Sequence, residues 1–110
     1  MITRIWHGWT TPANADAYEQ LLRSEIFTGI VARAIPGFRG IQLLRRDPPL
    51  HKAPGEVEFV TIMRFESLDA VRPFAGEDYE VAVVPPKAQA LLARYDDRSA
   101  HYEVREERPL

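Results

Sequence analysis

Residues 57–66, VEFVTIMRFE, alternate so that Val57, Phe59, Thr61, Met63 and Phe65 share one side of an extended chain, while Val60 and Ile62 take the other. ITRIWHGWT, at 2–10, behaves in the same way. Ile2, Arg4, Trp6 and Gly8 fall on one face and Thr3, Ile5, His7 and Trp9 on the other. Strands with large apolar groups on both faces are covered on both faces. A chain of 110 residues buries only roughly two-thirds of its unfolded surface. Its own helices cover one face of a sheet, and the simplest cover for the other is a second copy. The pattern therefore predicts a homodimer joined through the sheet face.

The remaining segments fit around these two strands. TTPANAD starts a helix, with Thr11 as cap and Pro12 at the first helical position. Tyr18, Leu22, Ile26 and Ile30 recur every four residues, and Gly29 places a break near Thr28. IPGFRG ends that helix, and FRGIQLLRR at 38–46 reads as a second strand. DPPLHKAPGE, 47–56, reads as a loop. Ser67 caps a second helix carrying Leu68, Val71 and Ala75. Pro86 opens a short helix in which Ala88, Leu91, Leu92 and Tyr95 share a stripe, and RSAHYEVRE, 98–106, is the last strand.

The order is βαββαβ with an additional helical piece. This is the ferredoxin-like, α+β pattern, with an antiparallel sheet whose first and third strands are central and whose helices lie on one face. The length suits one domain spanning 1–110.

Composition narrows the function classes. Hydrophobic residues make up 45% and charged residues 27%, which is globular rather than disordered. With 14 basic and 16 acidic residues there is no basic stripe, so a nucleic-acid partner is not expected. The chain has no cysteine, which excludes disulfides, thiolate catalysis and thiolate metal sites. No stretch approaches membrane-spanning length, so no membrane partner is expected and the cytoplasm is the expected location. No phosphate-cradling glycine loop, nucleophile elbow or zinc motif is present, and neither a metal nor a cofactor is expected.

MITRIWHGWT, AIPGFRGIQLLRR, FVTIMRFESLDAVRPFAGEDYE and SAHYEV together resemble the antibiotic-biosynthesis-monooxygenase-like domains, dimeric α/β barrels, over nearly the whole chain. The resemblance implies a cofactor-independent monooxygenase-like protein acting on a small aromatic or polyketide-like compound. A non-catalytic small-molecule binder or stress-related protein and a haem binder are the alternatives. Haem-degrading members carry an Asn on the first strand with a Trp and a His at the cleft. Here the single Asn is Asn14, at the start of the first helix, and 67–86 contains no His. That pattern is unmatched.

The candidate residues follow from chemistry. His7, between two indoles, is either a core histidine or a general base in the helix–sheet cleft, its neutral form favoured by desolvation. His101, on the strand expected beside the first, is placed on the same face as His7, with Glu103 as the nearest carboxylate. Trp6 and Trp9 point to opposite faces, one toward the helices and one toward the partner molecule. Trp6, Trp9, His101 and Phe65 are candidate ligand-binding residues. Arg64 and Tyr79 are candidate anion-holding groups in catalysis. Arg39 and Arg64 equally suit ion pairs with Glu58, Glu66 or Glu103. Tyr102 is a further hydroxyl donor, and His51 is expected to be exposed.

Overall fold

A computed structural model describes residues 1–49, 51 and 55–110. The loop expected at 47–56 lies partly outside the described residues, and His51 is exposed. Strand β1, Ile2–Thr10, runs into helix α1, Pro12–Leu21. The Thr11 hydroxyl caps α1 by accepting the Asn14 amide at 3.3 Å, and Pro12 occupies the first turn.

The helical segment then does something the four-residue spacing encodes. On an α-helix of 3.6 residues per turn, each four-residue step over-rotates by about 40°, so Tyr18 to Ile30 would swing by about 120°. A π-helical turn, Leu22–Ile26, inserts between α1 and helix α2, Phe27–Ala32. One extra residue in the turn takes back about 100°. Tyr18, Leu22, Ile26 and Ile30 consequently all face the same cleft. The expected break near Gly29 does not occur: the helix runs through Gly29, and the irregularity lies one turn earlier.

A turn containing Gly37, at φ 84°, leads to strand β2, Phe38–Arg46. Strand β3, Val57–Phe65, follows, then a 3₁₀ turn, Asp69–Val71, which runs directly into helix α3, Arg72–Ala75. The Ser67 hydroxyl accepts the Ala70 amide at 3.2 Å, as its position implies. Val71 is fully buried, whereas Leu68 is largely exposed. Helix α4, Pro86–Gln89, is short.

The helix expected to continue through Leu92 and Tyr95 does not form. Leu92–Tyr95 is strand β4, recruited by the free edge of β1 opposite Gly8, Trp9 and Thr10. Strand β5, Ala100–Glu103, is shorter than expected because it takes only the other half of that edge, opposite Ile2–Ile5. The result is a five-stranded antiparallel sheet in the order β2-β3-β1-β4, with β5 also on β1, in the ferredoxin-like α+β arrangement.

Register fixes the two faces. Trp6 lies opposite Thr61, Gly8 opposite Phe59 and Arg4 opposite Met63. This face packs under the helices, where Tyr18 meets Phe59 edge-on at 4.9 Å between ring centroids. Ile5, His7 and Trp9 share the opposite face with Val60, Ile62 and Leu44, and no described element of the chain covers it.

Two glycines respond in opposite ways to a methyl group. A Cβ at Gly29 meets nothing within 4 Å. Gly29→Ala therefore raises stability in denaturant unfolding, by ~0.5–1 kcal/mol. A Cβ at Gly37 comes within 2.8 Å of the Ala70 Cβ at a positive φ. Gly37→Ala lowers stability in the same measurement, by ~1–3 kcal/mol.

Candidate functional site

The strand pleat separates the candidates before any chemistry is considered. Even-numbered β1 residues look into the space beneath the helices and odd-numbered ones look away. The space on the helix side is an apolar cleft of about 480 Å³, counting its open mouth. One wall is the helical stripe from Tyr18 to Ile30. The floor is sheet, with Arg4, Trp6, Ile41, Thr61 and Met63. The far wall is Phe74, Val83–Pro85, Ala88 and Ser99.

Trp6 is the aromatic wall. It lies over Gly8, where a Cβ would come within 2.9 Å of the indole, so the missing side chain makes its room. Its ring nitrogen donates to the Asp96 carbonyl at 2.8 Å, leaving the ring face for packing. Tyr95 adds a second ring at 6.0 Å between centroids.

The decisive residue is Arg4, which was not among the candidates. Its alternation places it on the covered face of a central strand, and it is 3% exposed. Nη1 donates to the Tyr79 carbonyl, Nη2 donates to the Val81 carbonyl at 3.1 Å, and Nη1 lies 3.1 Å from His101 Nε2. Its charge also sits over the Phe74 ring, 5.4 Å from the centroid. Burial brings its pKa down to about 10, opposed only by the more distant Glu80 carboxylate. The sequence signal was a lone charged residue on the inward face of an otherwise apolar strand, a placement that always demands partners.

His101 stands opposite Arg4 across β1 and β5, with its side chain 4% exposed. Arginine only donates, so His101 Nε2 accepts and its proton resides on Nδ1. That Nδ1 has no hydrogen-bond partner among the described residues and lies 3.8 Å from Glu80 Oε2. Burial first, and the Arg4 charge second, lower the His101 pKa. The Tyr79 ring meets the imidazole edge-on at 5.0 Å. Ser99, 3% exposed, presents a hydroxyl without a partner among the described residues.

His7 is elsewhere. It was expected to share a face with His101, but β1 and β5 pair Arg4, not His7, with His101, so the two imidazoles lie on opposite faces of the sheet. His7 Nδ1 is 2.9 Å from Glu58 Oε2, and its ring stacks on Trp9 at 6.1 Å between centroids. Arg94 lies over Trp9 at 3.8 Å and donates to Glu56 at 2.9 Å. Placing His7 in the helix–sheet cleft as a base is thereby corrected: its odd position turns it away. Arg64 shares that outward face, is exposed and lies over Gly40, so it does not reach the cleft. Arg39 pairs with Glu66 at the surface. Phe65 is fully buried in a cluster with Met63 and Val71 and does not line the cleft. Tyr79 contributes its carbonyl to Arg4 and its ring to His101. Tyr102 is on the outward face, 57% exposed.

Among the described residues no group of three or more His, Asp or Glu side chains is placed to hold a metal ion. No helix among them is long and apolar enough to cross a membrane.

No family model matches the sequence, and no curated protein matches it. Solved structures do match over the whole length. A Bacillus cereus antibiotic biosynthesis monooxygenase candidate aligns with TM-score 0.66 at 16% identity, over 99% of this chain and 97% of the other. A Deinococcus radiodurans protein of the same description aligns with TM-score 0.60 at 15% identity, over 100% and 98%. The haem degrader MhuD from Mycobacterium tuberculosis, solved with two haems in its active site, aligns with TM-score 0.57 at 20% identity, over 99% and 100%. These likenesses establish the fold. Haem itself does not fit the residues present. No histidine lines the cleft, His101 Nε2 is occupied by Arg4, and His7 is bound to Glu58 on the other face.

His101 gives the fold a pH dependence of known sign. A histidine whose folded pKa is lowered stabilises the fold above its unfolded value, about 6.5, and that contribution is lost as pH falls toward the folded value. The groups facing it are Arg4, Glu80 and the Tyr79 ring, with Arg98 beyond Glu80. Thermal unfolding from neutral pH to mild acid is therefore expected to show a steeper loss of Tm in the native protein than in His101→Gln.

Proposed function

We propose that this protein takes a small, flat aromatic or polyketide-like compound into the cleft beneath its helices and acts on it as a cofactor-independent monooxygenase-like protein. The observation that carries this reading is the cleft: apolar on three sides, walled by the Trp6 indole and placed between helices and sheet. The relatives by fold that are assigned to the antibiotic biosynthesis monooxygenases support the reaction class. Such chemistry requires no external reductant, since an anthrone and dioxygen give an anthraquinone and water with atoms and electrons balanced. The protein's part is to bind the ring system, orient it and keep water away.

One observation favours a second reading, a binder without turnover. The cleft lining contains no histidine and no carboxylate, so no conventional general base lies within reach of a ligand proton. Incubation of purified protein with an anthrone under oxygen separates the two readings. Quinone formation above the buffer rate, reduced by Trp6→Ala, supports oxygenation. Ligand-induced thermal stabilisation without quinone supports the binder. Neither effect removes both.

We also propose that the outward face of the sheet meets a second copy of the chain, forming a dimeric α/β barrel. Ile5, Val60 and Ile62 lie side by side there, flanked by Trp9 and by Leu44, which is 46% exposed. A contiguous apolar patch of this kind on a sheet marks an interaction surface. Analytical ultracentrifugation at micromolar concentration is expected to give a dimer, and Ile62→Lys a monomer. A monomeric native protein overturns this assignment.

A further inference from the structure

Arg4 does more than tie segments together. A guanidinium carries five N–H donors in a planar fork. Two on Nη1 and one on Nη2 are taken by the Tyr79 carbonyl, His101 Nε2 and the Val81 carbonyl. The other two, on Nε and Nη2, have no partner among the described residues. They lie on neighbouring nitrogens, the arrangement that both oxygens of a carboxylate match. No carboxylate among the described residues makes a hydrogen bond to Arg4. The Glu80 carboxylate acts on it only through its charge, and Glu80 is itself engaged by Arg98 at 3.5 Å.

The cleft itself supplies the second observation. Arg4 and Ser99 both line it. Ser99 is buried, and its hydroxyl has no partner among the described residues. A buried hydroxyl left unpaired costs free energy that a ligand oxygen recovers. An apolar chamber with a single under-neutralised cation and a fully buried, unpaired hydroxyl beside it in the lining is complementary to a flat apolar body ending in an anionic group.

We infer that Arg4 and Ser99 form a carboxylate subsite in the cleft, so that the ligand is an aromatic or polyketide-like acid rather than a neutral ring compound. This rests on the cleft being the ligand site, as proposed above. Arg4 makes the two-point contact, and Ser99 donates its hydroxyl to the carboxylate. His101 is a positioning residue. Its Nε2 fixes the guanidinium from behind, and Glu80 lies on the far side of its ring.

The test compares 2-naphthoate with 2-naphthamide, of nearly the same shape and differing in charge, by calorimetry near neutral pH. The native protein is expected to bind the acid about tenfold more tightly than the amide or better, the scale of a charge-assisted contact. In folded Arg4→Gln the acid-to-amide affinity ratio falls toward one, whatever loss the two ligands share. In Ser99→Ala acid binding weakens more than amide binding, because a hydroxyl donates more strongly to a charged oxygen than to a neutral one. The Trp6 indole N–H signal in NMR is expected to shift on titration, locating the ligand in the cleft rather than on surface arginines. Equal affinity for acid and amide in the native protein overturns the carboxylate subsite and leaves the cleft assignment standing. Binding of neither removes the cleft assignment and this inference with it. An acid preference that survives in folded Arg4→Gln also overturns it. Should Arg4→Gln not fold, the native acid-to-amide ratio and the Ser99→Ala response decide alone.

Discussion

A guanidinium on the covered face of a central strand is the constraint around which one half of this molecule is arranged. It keeps its charge at neutral pH, and taking it out of water costs several kcal/mol unless its donors find partners. Arg4 meets this demand by collecting the carbonyls of Tyr79 and Val81, the Nε2 of His101 and the face of Phe74. These partners come from three separate stretches of chain, around Phe74, Tyr79–Val81 and His101. The segment around residues 79–81 has little regular structure of its own: an isolated bridge from Val81 to Arg98, the Ser99 amide donating to the Glu80 carbonyl at 2.6 Å, the Val81 amide to the Asp78 carbonyl at 3.1 Å and the Ala82 amide to the Asp97 carbonyl at 2.9 Å. The guanidinium ties that segment to β1 through its side chain. In doing so it sets the far wall of the cleft, because Val83, Val84 and Pro85 follow directly.

The opposite wall depends on helical geometry. Four-residue repeats are incompatible with a straight α-helix facing a flat sheet, because the stripe walks around the cylinder. The π turn at Leu22–Ile26 resolves the mismatch, with the Phe27 amide reaching back to the Leu22 carbonyl. Thr28 supports it by donating its hydroxyl to the Arg23 carbonyl at 3.3 Å. Thus one irregularity keeps the helical stripe facing the cleft, while Gly8 leaves the space that the Trp6 indole occupies. Cleft shape, on this account, comes from one extra residue in a helix and one missing side chain in a strand.

The sheet was legible in the sequence wherever alternation was strong. The extents of β2 and β3, the central positions of β1 and β3, the caps at Thr11 and Ser67 and the opposite orientations of Trp6 and Trp9 all follow from period-two patterning and hydroxyl caps. Leu92–Tyr95 was not legible as a strand. Its short apolar run fits a helical stripe equally well, and only the unpaired edge of β1 decides in favour of extension. The site was less legible than the fold for a related reason. Histidine and tryptophan draw attention by their chemistry, whereas the residue that organises the cleft announces itself only by position, as a charge among inward-facing apolar groups. Arg4 stood on that face in the alternation from the start.

The stretch Trp6-His7-Gly8-Trp9 shows why adjacency misleads in a strand. Read along the chain, an imidazole lies between two indoles. Pleating sends Trp6 and Gly8 beneath the helices and His7 and Trp9 to the outward face, so the apparent cluster is two half-sites with a sheet between them. Each half then acquires partners that sequence distance hides. Trp6 joins Tyr95 and the Asp96 carbonyl, and His7 joins Glu58 in a line that continues through Trp9 and Arg94 to Glu56. That line of alternating charge and aromatic rings is set among Ile5, Val60 and Ile62, the face proposed to meet a second molecule. Charges embedded in an apolar contact contribute less to affinity than to orientation, because mismatched registers leave them unpaired. The same nine-residue strand therefore presents two surfaces with one alternation: Arg4 and Trp6 inward beneath the helices, and His7 and Trp9 outward on the face proposed to meet a second copy.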